Sequence, residues 1–194
     1  MIMNNFYNKK IKLFSFLTEL IPIVLFFTIY NLYNIFIAAL ISLISSIILF
    51  LYHLKTQKRK NYFAIFSILI TFFLTFISFV SNDPLFIKIQ PSLFNGFFSF
   101  ILLVGLYFNR PVMKDFFDYQ FKLSLKTWFI LSKRWGFFFL ILCIMNEIMW
   151  RNFSEEQWVF FKTFLISPLV LIFMTFQIPI TIKGITEFDE ENKN

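Results

Sequence analysis

The sequence predicts an all-α fold, a polytopic transmembrane helical bundle of five to six spans, and three observations predict it. Charged residues make up 15% of the 194-residue chain and hydrophobic residues 58%, where a soluble domain carries about 25% charged residues. The apolar residues gather in six runs that approach the roughly 20 residues a helix needs to cross a hydrocarbon core about 30 Å thick. The basic residues fall in the gaps between those runs rather than along one patch, so the formal charge of +7 marks topology and no nucleic-acid partner is expected. Disorder is excluded by an aromatic share of 23% with 33 Phe, 4 Trp and only 4 Gly. One membrane domain is expected over residues 1–186 with no internal repeat, and a polar, acidic, flexible tail over 187–194.

The first run, 13–30, follows Lys9, Lys10 and Lys12 and has no small-residue cleavage site after it, which predicts an uncleaved signal anchor. It carries Glu19 and Pro22, and only residues 31–34 separate it from the next run. A full span and a shallow re-entrant segment both fit it. The second and third runs are 35–52 and 62–80. The fourth, 93–108, is short, and a start near Pro84 is the alternative. The fifth is 135–150. The sixth, 159–182, holds Pro168 and Pro179, which predict kinks, and Gln177 between them can bond a freed carbonyl or a neighbouring helix. Tyr30, Tyr33, Tyr52, Tyr62, Tyr107, Trp135, Trp150 and Trp158 fall at predicted ends, where amphipathic rings sit at the membrane–water boundary.

Residues 112–134 are polar in a regular way. Lys114, Asp118, Lys122 and Lys126 recur every four residues, and Met113, Phe117, Phe121, Leu125 and Trp128 form an apolar face beside them. This pattern suits a cytoplasmic interfacial helix resting on anionic lipid. A basic linker with some helix suits it equally.

Orientation follows from the loops. On one side lie Lys9, Lys10, Lys12, Lys55, Lys58, Arg59, Lys60, Arg110, Lys114, Lys122, Lys126, Lys133, Arg134, Lys183 and Lys193. Lys88 and Arg151 lie on the other, and Lys162 within the sixth run completes the 18 basic residues. The bias places both termini of a six-span protein in the cytoplasm. A five-span arrangement in which the first run does not cross keeps most of the same bias.

Ionisable groups inside a span cost roughly 2.5–3.5 kcal/mol at the helix centre on insertion scales, so they are the candidates for function. Glu147 lies one turn inside the outer end of the fifth run, and Lys162 about one turn inside the outer start of the sixth. In an antiparallel hairpin they reach similar depth and can pair. Arg151 is four residues after Glu147 on the same face. With Asn146 they form the candidate polar cluster: Asn146, Glu147, Arg151 and Lys162. The competing reading is that these groups snorkel to headgroups and only set helix depth. Glu19, three residues before Pro22, can serve the helix start or a proton pathway, and snorkelling is the competing reading there too.

Enzyme signals are missing. His53, the single histidine, has no nearby Cys or carboxylate in sequence, and Cys143, the single cysteine, lies within an apolar run and reads as packing. No phosphate-binding Gly loop and no nucleophile elbow occurs. No catalytic residue, cofactor or metal is expected.

Residues 20–27, Leu-Ile-Pro-Ile-Val-Leu-Phe-Phe, precede Tyr30 and Ala38-Ala39. Further on come Asn82-Asp83 with Phe86-Ile87-Lys88, Arg110-Pro111, Trp128, Arg134-Trp135, Phe137-Phe138-Phe139, Asn146-Glu147, Trp150-Arg151, Trp158-Val159 and Phe161-Lys162. In that order and spacing the set resembles the bacterial intracellular septation protein A family over residues 16–182. The resemblance implies an inner-membrane protein that maintains envelope integrity and takes part in division by contacting elongation and septation proteins. It implies no catalysis, and it implies five spans. Around 118–126 the chain departs from the family pattern, where a glycine and basic residues are expected. Two functions follow for comparison. The first is a non-enzymatic scaffold whose partners are membrane lipids, division and elongation membrane proteins and other copies of itself. The second is a small transporter or lipid-handling protein, motivated by the intramembrane charges and the two prolines.

Overall fold

A computed structural model describes residues 21–57, 62–118 and 121–191, and every regular element among them is helical. Among the described residues five helices are long and apolar enough to cross a membrane: Ile35–Lys55, Ala64–Ser81, Leu85–Tyr107, Leu125–Asn152 and Glu155–Glu191. A shorter apolar helix, Ile21–Leu32, precedes them. The fold is therefore the all-α polytopic bundle expected. Residues 13–20 of the first run, with Glu19, lie outside the described residues. The chain divides into two compact units, residues 1–87 and 88–194.

In the first unit, α1 (Ile21–Leu32) and α2 (Ile35–Gln57) form a tight hairpin, followed by α3 (Tyr62–Ser81). Asn34 starts α2 by accepting a hydrogen bond from the Ile37 N–H on its side-chain oxygen, 3.0 Å. Phe26, Ile35, Ala38, Ala39 and Leu43 are buried. The alanines let the backbones approach, as small residues do where lipid supplies no hydrophobic drive between helices. Ser42 Oγ donates to the Pro22 carbonyl at 2.9 Å. α3 ends on Asn82 in the left-handed region, φ 52°. There the Asp83 N–H bonds the Ser78 carbonyl at 3.1 Å, and Ser78 Oγ donates to the Asp83 carbonyl. Asn substitutes for the glycine that usually occupies such a helix end.

The second unit carries most of α4 (Leu85–Tyr107), with α5 (Val112–Phe117), α6 (Leu125–Asn152) and α7 (Glu155–Glu191). α4 begins at Leu85 because Asp83 Oδ1 accepts the Leu85 N–H at 2.8 Å and Pro84 precedes it. The early start near Pro84 is thus what forms, and Pro91 is carried inside the helix. α4 and α6 run antiparallel. Ser92 meets Asn146, Phe98 meets Phe139, and Leu103 lies where a side chain on Gly136 would project. α6 and α7 are antiparallel too, through stacked Phe138 and Phe173 at 3.8 Å, Arg134 with Gln177, and Ser124 with Glu187. Gly184 permits the close crossing at the far end, since a Cβ there would stand 2.5 Å from Thr127 Cγ2.

Three sequence expectations change. Residues 112–134 are not one interfacial helix: α5 stops at Phe117, and Ser124, whose side chain accepts the Thr127 N–H, caps a new helix. Lys126 and Trp128 therefore belong to the first turns of α6, which begins ten residues before the expected 135. The expected tail at 187 is helical through Glu191, because Ser124 Oγ donates to Glu187 Oε2 at 2.8 Å and the Ser124 N–H bonds the Gly184 carbonyl at 3.0 Å. Within α7 a π-helical stretch, Phe161–Ile166, ends two residues before Pro168. Proline cannot donate to the helix ladder. One residue before it, Ser167 Oγ donates to the Lys162 carbonyl at 3.1 Å.

Candidate functional site

The sharp turn between α6 and α7 assembles the candidate cluster. Phe153 is extended, and Ser154 and Gln157 form a reciprocal capping box that starts α7. This brings residues 146–151 against 155–162, with the first turns of α4 alongside.

Asn146 is the centre. It is 5% exposed. Its Nδ2 donates to Ser92 Oγ at 2.7 Å and to the Lys88 carbonyl at 2.9 Å, while its Oδ1 accepts from Trp158 Nε1 at 3.0 Å. One amide thus ties α4, α6 and α7, using both donors and an acceptor, as a buried amide must to offset desolvation. Trp158 is fully buried beside Val159. The Lys162 ammonium lies 5.0 Å from the Trp158 ring centroid, where the face of the ring attracts a cation. Lys88 Nζ pairs with Glu155 Oε2 at 3.1 Å, linking the first turns of α4 and α7.

Glu147 accepts from Arg151 Nε at 2.7 Å on one oxygen and from Trp150 Nε1 at 2.9 Å on the other, and the Arg151 guanidinium lies 4.3 Å from the Trp150 ring centroid. The structure therefore gathers all four candidates at one end of the unit. Glu147 and Arg151 pair along one helix, while Lys162 joins Asn146 through Trp158. Sequence reasoning missed Lys88, Ser92, Glu155 and the bridging role of Trp158. The available signal was the four-residue step from Trp158 to Lys162, which puts both on one face. Lys88 looked like a loop marker because α4 was placed too late.

The other candidate segment lies at the opposite end of the same unit. Asp118 pairs with Lys122 at 2.7 Å, and Arg110 with Asp115 at 2.9 Å. Lys114 and Lys126 are exposed. Trp128 does not lie on a surface: it is buried with Leu123 and Leu131 against Met113, Phe117, Trp135 and Ile180. Chemically, both ends fasten helices. Among the described residues no group of three His, Cys, Asp or Glu side chains is placed to hold a metal ion.

A family model described as intracellular septation protein A matches residues 14–187. The protein named inner membrane-spanning protein YciB of Mesorhizobium japonicum is 44% identical over 101 residues, 52% of this chain and 45% of that protein. Proteins of the same name from Brucella suis and Brucella ovis are 44% identical over 107 residues, 55% of this chain and 53% and 48% of theirs. The chain spans about half the length of the curated relatives it matches. No solved structure matches.

Proposed function

The chain belongs to the intracellular septation protein A family, and on that premise we propose that it is a non-enzymatic multi-pass protein of the inner membrane. In this reading it supports envelope integrity and cell division through contacts with lipids and with membrane proteins of elongation and septation, other copies of itself among them. Both termini face the cytoplasm, as the distribution of Lys and Arg favours. The observation that carries the scaffold reading is the bonding around Asn146: its donors and acceptor are met by Ser92, Lys88 and Trp158 of the same chain. The cluster holds helices in register rather than presenting a reactive group. Outside it, rows of large apolar side chains such as Phe72, Phe76 and Phe79 are more than half exposed and available to lipid and partner helices.

The test is complementation. In cells depleted of the protein, cell length and leakage of a periplasmic marker should rise, and the wild-type chain should restore both. A Glu147→Gln chain should restore them as well, because the scaffold needs no ionised carboxylate there. Depletion that leaves division and the envelope untouched would end the proposal, and a Glu147→Gln chain that folds but restores nothing would favour transport.

A further inference from the structure

One face of α6 is covered by neither neighbour and is ordered by chemistry along its length. Lys126 and Lys133, two turns apart, are exposed at its start. Continuing at steps of four and three residues come Phe137, Ile141 and Ile144, each about half exposed at 50%, 52% and 50%. The rise from Lys133 to Ile144 is about 16 Å at 1.5 Å per residue, close to one leaflet of a hydrocarbon core about 30 Å thick.

The cations of this unit differ in whether they are already satisfied. Arg110 pairs with Asp115, Lys122 with Asp118 and Lys183 with Glu187, while Arg134 donates to Gln177. Lys126 and Lys133 on α6, like Lys114 on α5, are exposed and make no hydrogen bond or ion pair with their ammonium groups among the described residues; of the three, only Lys126 and Lys133 stand on the stripe. Two unneutralised ammonium groups stand over an apolar stripe one leaflet long. We infer that this face holds an anionic phospholipid, its phosphate between Lys126 and Lys133 and an acyl chain along Phe137, Ile141 and Ile144. Charge selects the headgroup and the stripe selects a lipid over a soluble phosphate. The inference rests on the membrane reading above and deepens it by naming the lipid class.

The full-length chain is purified and released from micelles holding equal phosphatidylglycerol and phosphatidylcholine into a native mass spectrometer, and the ratio of the two lipids retained is read. The wild type should retain phosphatidylglycerol preferentially. Lys126→Gln with Lys133→Gln should lower that ratio by about 5-fold per lysine, given the attraction of a cation near an anionic surface. Lys122→Gln and Lys183→Gln together remove the same charge from paired positions and should change the ratio less than about 2-fold. An unchanged ratio in the first double variant, as expected if a protein covers this face, overturns the site. An equal fall in both double variants also overturns it, since diffuse charge would then suffice. A wild-type chain that keeps phosphatidylglycerol but fails to restore division ends the division role and leaves the lipid site standing.

Discussion

Asn146 carries no charge, yet it joins more elements than any ionised side chain near it. Removing it breaks the hydrogen bonds to the Trp158 indole N–H, the Ser92 hydroxyl and the Lys88 carbonyl. Interhelical hydrogen bonds in bilayers average about 0.6 kcal/mol, up to about 1.7, and three are lost at once. Asn146→Leu should therefore cost roughly 2–3 kcal/mol, read as a lower midpoint in denaturing-detergent titration. Glu147→Gln should cost under about 1 kcal/mol, since its ion pair with Arg151 is one helical turn apart and partly solvated. The reverse order would mean that the carboxylate, not the amide, holds this end together. Gly184 offers a second test at single-residue scale. Gly184→Ala forces a methyl against Thr127 and should destabilise by about 1–3 kcal/mol. Thr127→Ala removes the contacting Cγ2 and Oγ1 while leaving Cβ, so the double variant should recover part of the loss in a mutant cycle.

At the scale of elements, the helices were legible because bilayer thickness fixes run length, and their ends were not, because ends depend on caps. The fourth run seemed to start at 93 since Lys88, Gln90 and Pro91 interrupt its apolar pattern, whereas Asp83 and Pro84 begin the helix eight residues earlier. The four-residue spacing of Lys114, Asp118, Lys122 and Lys126 is real, and Asp118 does reach Lys122. Periodicity alone, however, does not report that Ser124 starts a new helix. Glu147 and Arg151 were legible as a pair by spacing, while Lys88 with Glu155 and Asn146 with Ser92 required the three-dimensional register. Caps also make the sharpest prediction here. Asn82 and Asn109 end α3 and α4 with φ of 52° and 54°, a region a β-branched residue reaches only at about 1–2 kcal/mol. Asn82→Val should lower the unfolding free energy by about 1–2 kcal/mol, and Asn82→Gly should leave it unchanged or raise it. If valine is tolerated as well as glycine, the turn after α3 is not the left-handed one described.

For the whole molecule, the five long helices impose an alternation. If each of them crosses, residues just before α2, just after α3 and just after α6 share one side of the membrane, while the end of α2, the end of α4 and the end of α7 share the other. On the proposed orientation the second set faces the cytoplasm, since the runs of Lys and Arg flank it. Single cysteines at exposed positions on a Cys143→Ser background read this directly. Asn34, Ser81 and Asn152 should react with a membrane-impermeant maleimide in intact spheroplasts, and Lys55, Phe108 and Asp189 only after permeabilisation. A seventh probe at Asn4 reads whether the first run crosses: protection in intact cells gives six spans with both termini inside, and labelling gives five. The two sets of three must behave oppositely whichever result Asn4 returns, since their alternation rests on the five long helices alone. A mixed pattern within either set would mean that one of those helices does not cross. Where the helix that fails to cross is α6, Asn146 no longer lies in the leaflet opposite Lys126 and Lys133, and the geometry on which the lipid site depends is removed.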